Sequence, residues 1–146
     1  MQENAIQIIL VEDDPADAEM TLRGLKKANL ADKVHVLRDG AEALSYIMNH
    51  VDYRRGTEQH CPKVILLDLK LPKIDGLEVL RRIRSDERTK AVPVVILTSS
   101  NEERDRMASY QLGVNSYVVK PVDFADFARA VAEIGYYWVL MNKPPY

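Results

Sequence analysis

The stretch Ile6-Gln7-Ile8-Ile9-Leu10-Val11 runs directly into Glu12-Asp13-Asp14-Pro15. A short run this rich in Ile, Leu and Val reads as a strand covered on both faces, as in a parallel sheet; a half-wet antiparallel strand would alternate. Its continuation reads as a helix start. Asp14 can cap, Pro15 suits the first turn, and Ala18, Leu22, Leu25 and Ala28 keep the helical period.

The same unit recurs downstream. Apolar runs at Val64–Leu67, Val92–Leu97 (interrupted by Pro93) and Tyr117–Val119, with a weaker one at Val34–Leu37, read as four more strands. Capping-box-like starts at Asp39-Gly40-Ala41-Glu42 and Asp75-Gly76-Leu77-Glu78 open two firm helices. Asn101–Leu112 is a charged helix with only Met107, Ala108 and Leu112 to offer the core, so its docking should be the weakest. The last helix starts near Asp123 and carries Phe124, Phe127, Val131, Ile134, Trp138 and Met141 as an inward stripe. Five strands alternating with five helices predict an α/β, doubly wound, five-stranded parallel sheet of the flavodoxin-like (βα)5 kind. Its ligand site should lie at the carboxyl ends of the strands.

The chain of 146 residues is about one domain long, and residues 1–146 are expected to form a single domain. A net charge of −2 provides no broad basic field, so nucleic acid is not an expected partner. No apolar run approaches a membrane span, Met1-Gln2-Glu3-Asn4 lacks a signal-peptide start, and Cys61 has no second cysteine to pair with. A cytoplasmic protein is expected. His35, His50 and His60 form no metal-ligand pattern and read as surface or loop residues.

The topology brings chemistry to one edge. Strand one ends in Glu12-Asp13-Asp14 and strand three in Asp68; strand four adds Thr98-Ser99-Ser100 and strand five Lys120-Pro121. Carboxylates at close range raise one another's pKa and call for a cation, and hard oxygen donors suit Mg²⁺. Asp14 also fits as a helix cap, whereas Glu12 and Asp13 have no evident cap to make. A carboxylate, a divalent cation, a hydroxyl and a lysine together can orient and neutralise a phosphoryl group in transfer. Asp68 is the expected acceptor.

These motifs resemble the response-regulator receiver domains of two-component signalling, the CheY-like family, over nearly the whole chain. The likeness rests on Ile8–Asp14, Leu66-Leu67-Asp68 through Pro72 to Asp75-Gly76, Val94–Ser99 and Tyr117–Pro121. It implies that Asp68 takes a phosphoryl group from a sensor histidine kinase. It implies Mg²⁺, with Mn²⁺ able to substitute, held by Asp13, by Glu12 mainly through water, by Asp68 and by the Lys70 backbone carbonyl. Thr98 and Lys120 would bind phosphoryl oxygens, Tyr117 would turn inward when Thr98 moves, and the Lys120–Pro121 bond would be cis. Lys70 and Ser100 stand where the family tunes loss of the phosphoryl group, although the Lys70 side chain equally fits plain solvation. Such a protein is a phosphoacceptor rather than an enzyme in the usual sense.

Twenty-six residues follow Lys120, so no output domain is expected and the signal should leave by protein contact. The loop Asp52–Pro62 and the ending Gly135–Pro145 resemble small regulators paired with phytochrome kinases, although these usually have Asn where Lys70 stands. In that ending, Tyr136, Tyr137, Val139 and Leu140 exceed what one sheet face can cover, and they are expected to form a homodimer; a kinase-docking surface is the alternative. Other classes fit less well. An aspartate-nucleophile phosphatase would show an Asp-x-Asp-x-Thr turn, and a flavodoxin-like carrier a hydroxyl- and glycine-rich one, where this chain has Glu12-Asp13-Asp14-Pro15. A receiver that signals without phosphorylation would not need its acids, Thr98 and Lys120 intact.

Overall fold

The computed structural model describes residues 5–57 and 60–146. The start Met1–Asn4 and the pair Glu58–Gln59 inside the 52–62 loop lie outside the described residues. Five parallel strands, β1 (Ile8–Val11), β2 (Val34–Leu37), β3 (Val64–Leu67), β4 (Val94–Thr98) and β5 (Ser116–Val119), stand in the order β2-β1-β3-β4-β5. The helices are α1 (Pro15–Lys27), α2 (Gly40–His50), α3 (Gly76–Ser85), α4 (Glu103–Gln111) and α5 (Phe124–Gly135), the last continuing as a π-helical turn over Tyr136–Met141.

The central strands β1, β3 and β4 are buried along their whole length, as their unalternating sequence requires, while the edge strands β2 and β5 are half-covered. Alternate residues feed two cores. Ile9, Val11, Ile65, Leu67 and Ile96 face α2 and α3; Ile8, Leu10, Leu66, Val95 and Leu97 face α1 and α5. The chain order reverses between β1 and β3, so the crevice for a ligand opens beyond Val11 and Leu67.

Capping follows the sequence. Asp14 accepts the N–H groups of Ala16 and Asp17, Asp39 that of Glu42, and Asp75 that of Glu78. The inward stripes need correction. In α4 the inward face runs through Ser109 and half-buried Leu112, and Met107, two residues from Ser109 and so on the opposite side, is exposed. Phe124, in the first turn of α5 at the edge of the sheet, is exposed as well. The π-helical turn, in which Asn142 N donates to Tyr137 O at 2.7 Å, is wider than an α-turn and shifts the buried face by one residue. Gly135 and Val139 therefore point inward and Met141 points out. Val139 is core, not surplus surface; Tyr136, Tyr137 and Leu140 are exposed as expected.

Candidate phosphoacceptor site

Asp68 caps the carboxyl end of β3 and is 7 % exposed. Its Oδ1 accepts the Leu69 N–H at 2.7 Å, with the Lys70 N–H at 3.4 Å, and its Oδ2 accepts from Lys120 Nζ at 3.0 Å. Gly76 at the start of α3 makes this corner possible, because a Cβ there would lie 2.2 Å from the Asp68 carbonyl oxygen. Glu12 and Asp13 arrive from β1, and oxygen atoms of Glu12, Asp13 and Asp68 all lie within 4.8 Å of one another. Three hard oxygen donors at this spacing, two on buried residues and one on an exposed residue, fit a divalent cation of the Mg²⁺ class that keeps some of its water.

Lys120, buried at the end of β5, is tied to Thr98 by its backbone, since Lys120 N donates to Thr98 O at 2.7 Å. Its ammonium donates to Glu12 Oε1 at 2.6 Å, Asp17 Oδ2 at 2.8 Å and Asp68 Oδ2 at 3.0 Å. Burial opposes the charge on Lys120, but the hydrogen bonds from Asp17 and Glu12 and the charges of Asp68 and Glu12 outweigh it and hold its pKa above the usual lysine range. Burial, followed by the neighbouring Asp68 charge, pushes Glu12 up to about 7 even though the hydrogen bond from Lys120 pulls the other way. Three carboxylates on one ammonium, with Asp13 close to two of them, crowd acidic groups that a divalent cation would help to neutralise.

Thr98 is fully buried, and its Oγ1 accepts the Ser100 N–H at 3.3 Å. Ser100 is engaged rather than free: its hydroxyl donates to Asp105 Oδ2 at 2.6 Å and accepts the Glu102 N–H, which ties β4 to the start of α4. Tyr117 is half-buried, its hydroxyl donating to the Ser100 carbonyl at 2.9 Å. Lys70 is exposed.

Sequence reading brought Glu12, Asp13, Asp68, Thr98 and Lys120 to one place and needs three amendments. Glu12 does serve the backbone, since its Oε2 accepts the Asp14 N–H at 3.2 Å. The Lys120–Pro121 bond is trans, and the lysine takes its direction from its three carboxylates instead. Asp17 was missed; the available signal was its place three residues after the cap Asp14, in the first turn that faces the carboxyl edge of the sheet.

A family model described as the response regulator receiver domain matches residues 8–132. Among curated proteins the chain is 41 % identical to the probable methanogenesis regulatory protein FilR2 of Methanothrix harundinacea, covering 98 % of this chain and 90 % of that one. It is 39 % identical to the response regulator Rcp1 of Synechocystis, over 90 % and 88 % of the two chains. Among solved structures, the phosphorylated cyanobacterial phytochrome response regulator RcpA superimposes with a TM-score of 0.85 at 37 % identity, over 97 % and 99 % of the chains. The Mn²⁺-bound form of Rcp1 does so at 0.82 and 37 % identity, over 95 % and 98 %. The bacteriophytochrome response regulator RtBRR is 51 % identical at a TM-score of 0.71, over 97 % and 84 %.

Proposed function

This chain belongs to the response regulator receiver domain family, and from that premise we propose that Asp68 accepts a phosphoryl group from a sensor histidine kinase in a Mg²⁺-dependent transfer. The observation that carries the reading is the Asp68 carboxylate itself, shielded from bulk water, within 4.8 Å of two further acids and hydrogen-bonded to the Lys120 ammonium. An Asp68 oxygen attacks phosphorus as the bond to the donor's histidine nitrogen breaks; the products are an aspartyl phosphate and a free imidazole. A divalent cation held by Glu12, Asp13 and Asp68, with the Lys70 carbonyl as a further ligand, would neutralise charge on the transferring oxygens. Thr98 and Lys120 then bind the phosphoryl oxygens. Tyr117, already joined to the segment after Thr98 through Ser100, carries the shift to the α4 face.

Lys70, exposed and two residues past Asp68, and Ser100, two residues past Thr98 and bonded to Asp105, are the residues to which we assign the tuning of phosphoryl loss. The likeness to RcpA, Rcp1 and RtBRR supports a phytochrome-type kinase as the donor. The receiver match spans residues 8–132, and the output we propose for it is a protein contact, a homodimer through the α5 end. No helix among the described residues is long and apolar enough to cross a membrane; the cytoplasmic location we propose rests on membership of the receiver family.

Incubation with Mg²⁺ and a small phosphodonor such as acetyl phosphate, read by intact mass, tests the central step. The wild type gains one phosphoryl group and Asp68→Asn gains none. An equal gain in the variant would remove Asp68 as the acceptor.

A further inference from the structure

Asp17 stands at the third helical position of α1, where an acidic side chain ordinarily turns back to the N–H of the capping residue. Here that N–H, on Asp14, is already taken by Glu12 Oε2 at 3.2 Å. The Asp17 carboxylate is therefore released from capping and reaches across to Lys120, 2.8 Å from Nζ. Its backbone is fixed while it does so, because Asp17 N donates to the Asp14 cap and Asp17 O accepts from Thr21 Oγ1.

An ammonium has three N–H donors, and Glu12, Asp17 and Asp68 occupy all three. A phosphoryl group arriving on Asp68 can gain a bond from Lys120 only if one of these is rearranged. The side chains of Glu12 and Asp68 are 2 % and 9 % exposed, whereas that of Asp17 is 33 % exposed. Water can replace the lysine at Asp17 but scarcely at the other two, so the Asp17 contact is the one given up at least cost. Resting on the phosphoacceptor reading above, we propose that Asp17 is a positioning residue that competes with the phosphoryl group for Lys120 and so weakens the phosphorylated state. Because Asp17 belongs to α1 and Lys120 to the β5–α5 junction, release of this contact also loosens α1 from that corner.

The test is a titration with beryllofluoride, a phosphoryl mimic, at fixed saturating Mg²⁺, read by fluorine NMR. Removing one partly exposed ion-pair partner is worth about fivefold, so Asp17→Ala binds the mimic about fivefold more tightly than wild type. Asp17→Glu, which restores the carboxylate, falls back toward the wild-type value. In a Lys120→Met background the Asp17→Ala change alters affinity by less than about twofold, because the competed group is gone. Equal or weaker binding by Asp17→Ala overturns the proposal, as does an undiminished effect without Lys120. A wild type that fails to bind the mimic sinks the phosphoacceptor reading itself, and this inference with it.

Discussion

Asp13 differs from its two neighbours in the acidic group: it is exposed, whereas Glu12 and Asp68 are buried and each already receives the Lys120 ammonium. A cation entering this site thus meets two carboxylates partly neutralised by the lysine and one that no hydrogen bond among the described residues engages. Removing the formal charge of Asp13 should cost the site more than its exposure suggests. Asp13→Asn is expected to bind Mg²⁺ at least about tenfold more weakly, equivalent to ~1.4 kcal/mol, in a calorimetric titration, with thermal stability in the absence of metal nearly unchanged. An unaltered Mg²⁺ isotherm would argue against Asp13 as a ligand. At this scale the sequence displays the residues that end strands, because strand ends are legible from apolar runs: Glu12, Asp68, Thr98 and Lys120 all follow such a run directly, and Asp13 is one residue further on. It conceals residues that reach the site from a helix. Asp17 looks like any acid in a first turn, and only the occupancy of the Asp14 N–H by Glu12 shows why its carboxylate points elsewhere.

Between elements, the contact of α1 with α5 depends on small residues that let two backbones approach. A Cβ built on Gly24 would lie 2.6 Å from the Ala128 carbonyl oxygen and 2.8 Å from Val131 Cβ. Gly24 is mid-helix, where alanine would by itself favour α1 by about 1 kcal/mol. The obstacle is backbone and cannot rotate away, and overpacking of this kind costs about 1–3 kcal/mol. The backbone clash outweighs the propensity gain, so Gly24→Ala is expected to lower unfolding stability by up to about 2 kcal/mol in urea titrations, since the helices must separate. A more stable variant would show that the pair can slide apart freely. The strand and helix order, the caps at Asp14, Asp39 and Asp75 and the burial of the central strands were all readable, because each depends on local composition and period. What escaped reading depends on partners distant in sequence. Arg84 sends its guanidinium to the carbonyls of Gly113, Lys90 and Val92 and to Asn115 Oδ1, joining α3 to the α4–β5 turn and to the approach to β4. Likewise the π-helical turn after Gly135 breaks the 3.6-residue period on which the inward stripe was drawn, which is why Val139 and Met141 exchange faces.

For the molecule as a whole, the wider turn leaves an apolar end to the α5 face that nothing among the described residues covers. Tyr136, Tyr137, Leu140 and Met141 are each about half exposed, with Lys27, Ala28, Arg129, Ala132 and Glu133 beside Tyr136, Tyr137 and Met141. Aromatic and methionine groups rimmed by both signs of charge have the composition of an interface core with a polar rim. Lys27 and Arg129 beside Glu133 give the patch both signs of charge, so that it can complement itself across a two-fold axis, one basic group of each copy facing the other's Glu133. A homodimer through this end engages the ends of α1 and α5, and α1 is joined to Asp68 through Asp17 and Lys120. Phosphorylation can then shift dimer affinity or geometry. Substitutions separate this surface from the core beneath it. Tyr137→Glu and Leu140→Glu should keep the fold and weaken the dimer by about tenfold or more, as for central interface side chains. Val139→Glu, which puts a charge at a buried position, should instead destabilise the monomer itself. Sedimentation at micromolar concentration, with and without phosphorylation, and thermal unfolding of each variant distinguish the two outcomes. A monomer at every concentration in both states would falsify the dimer and leave this face to a different protein, such as the kinase.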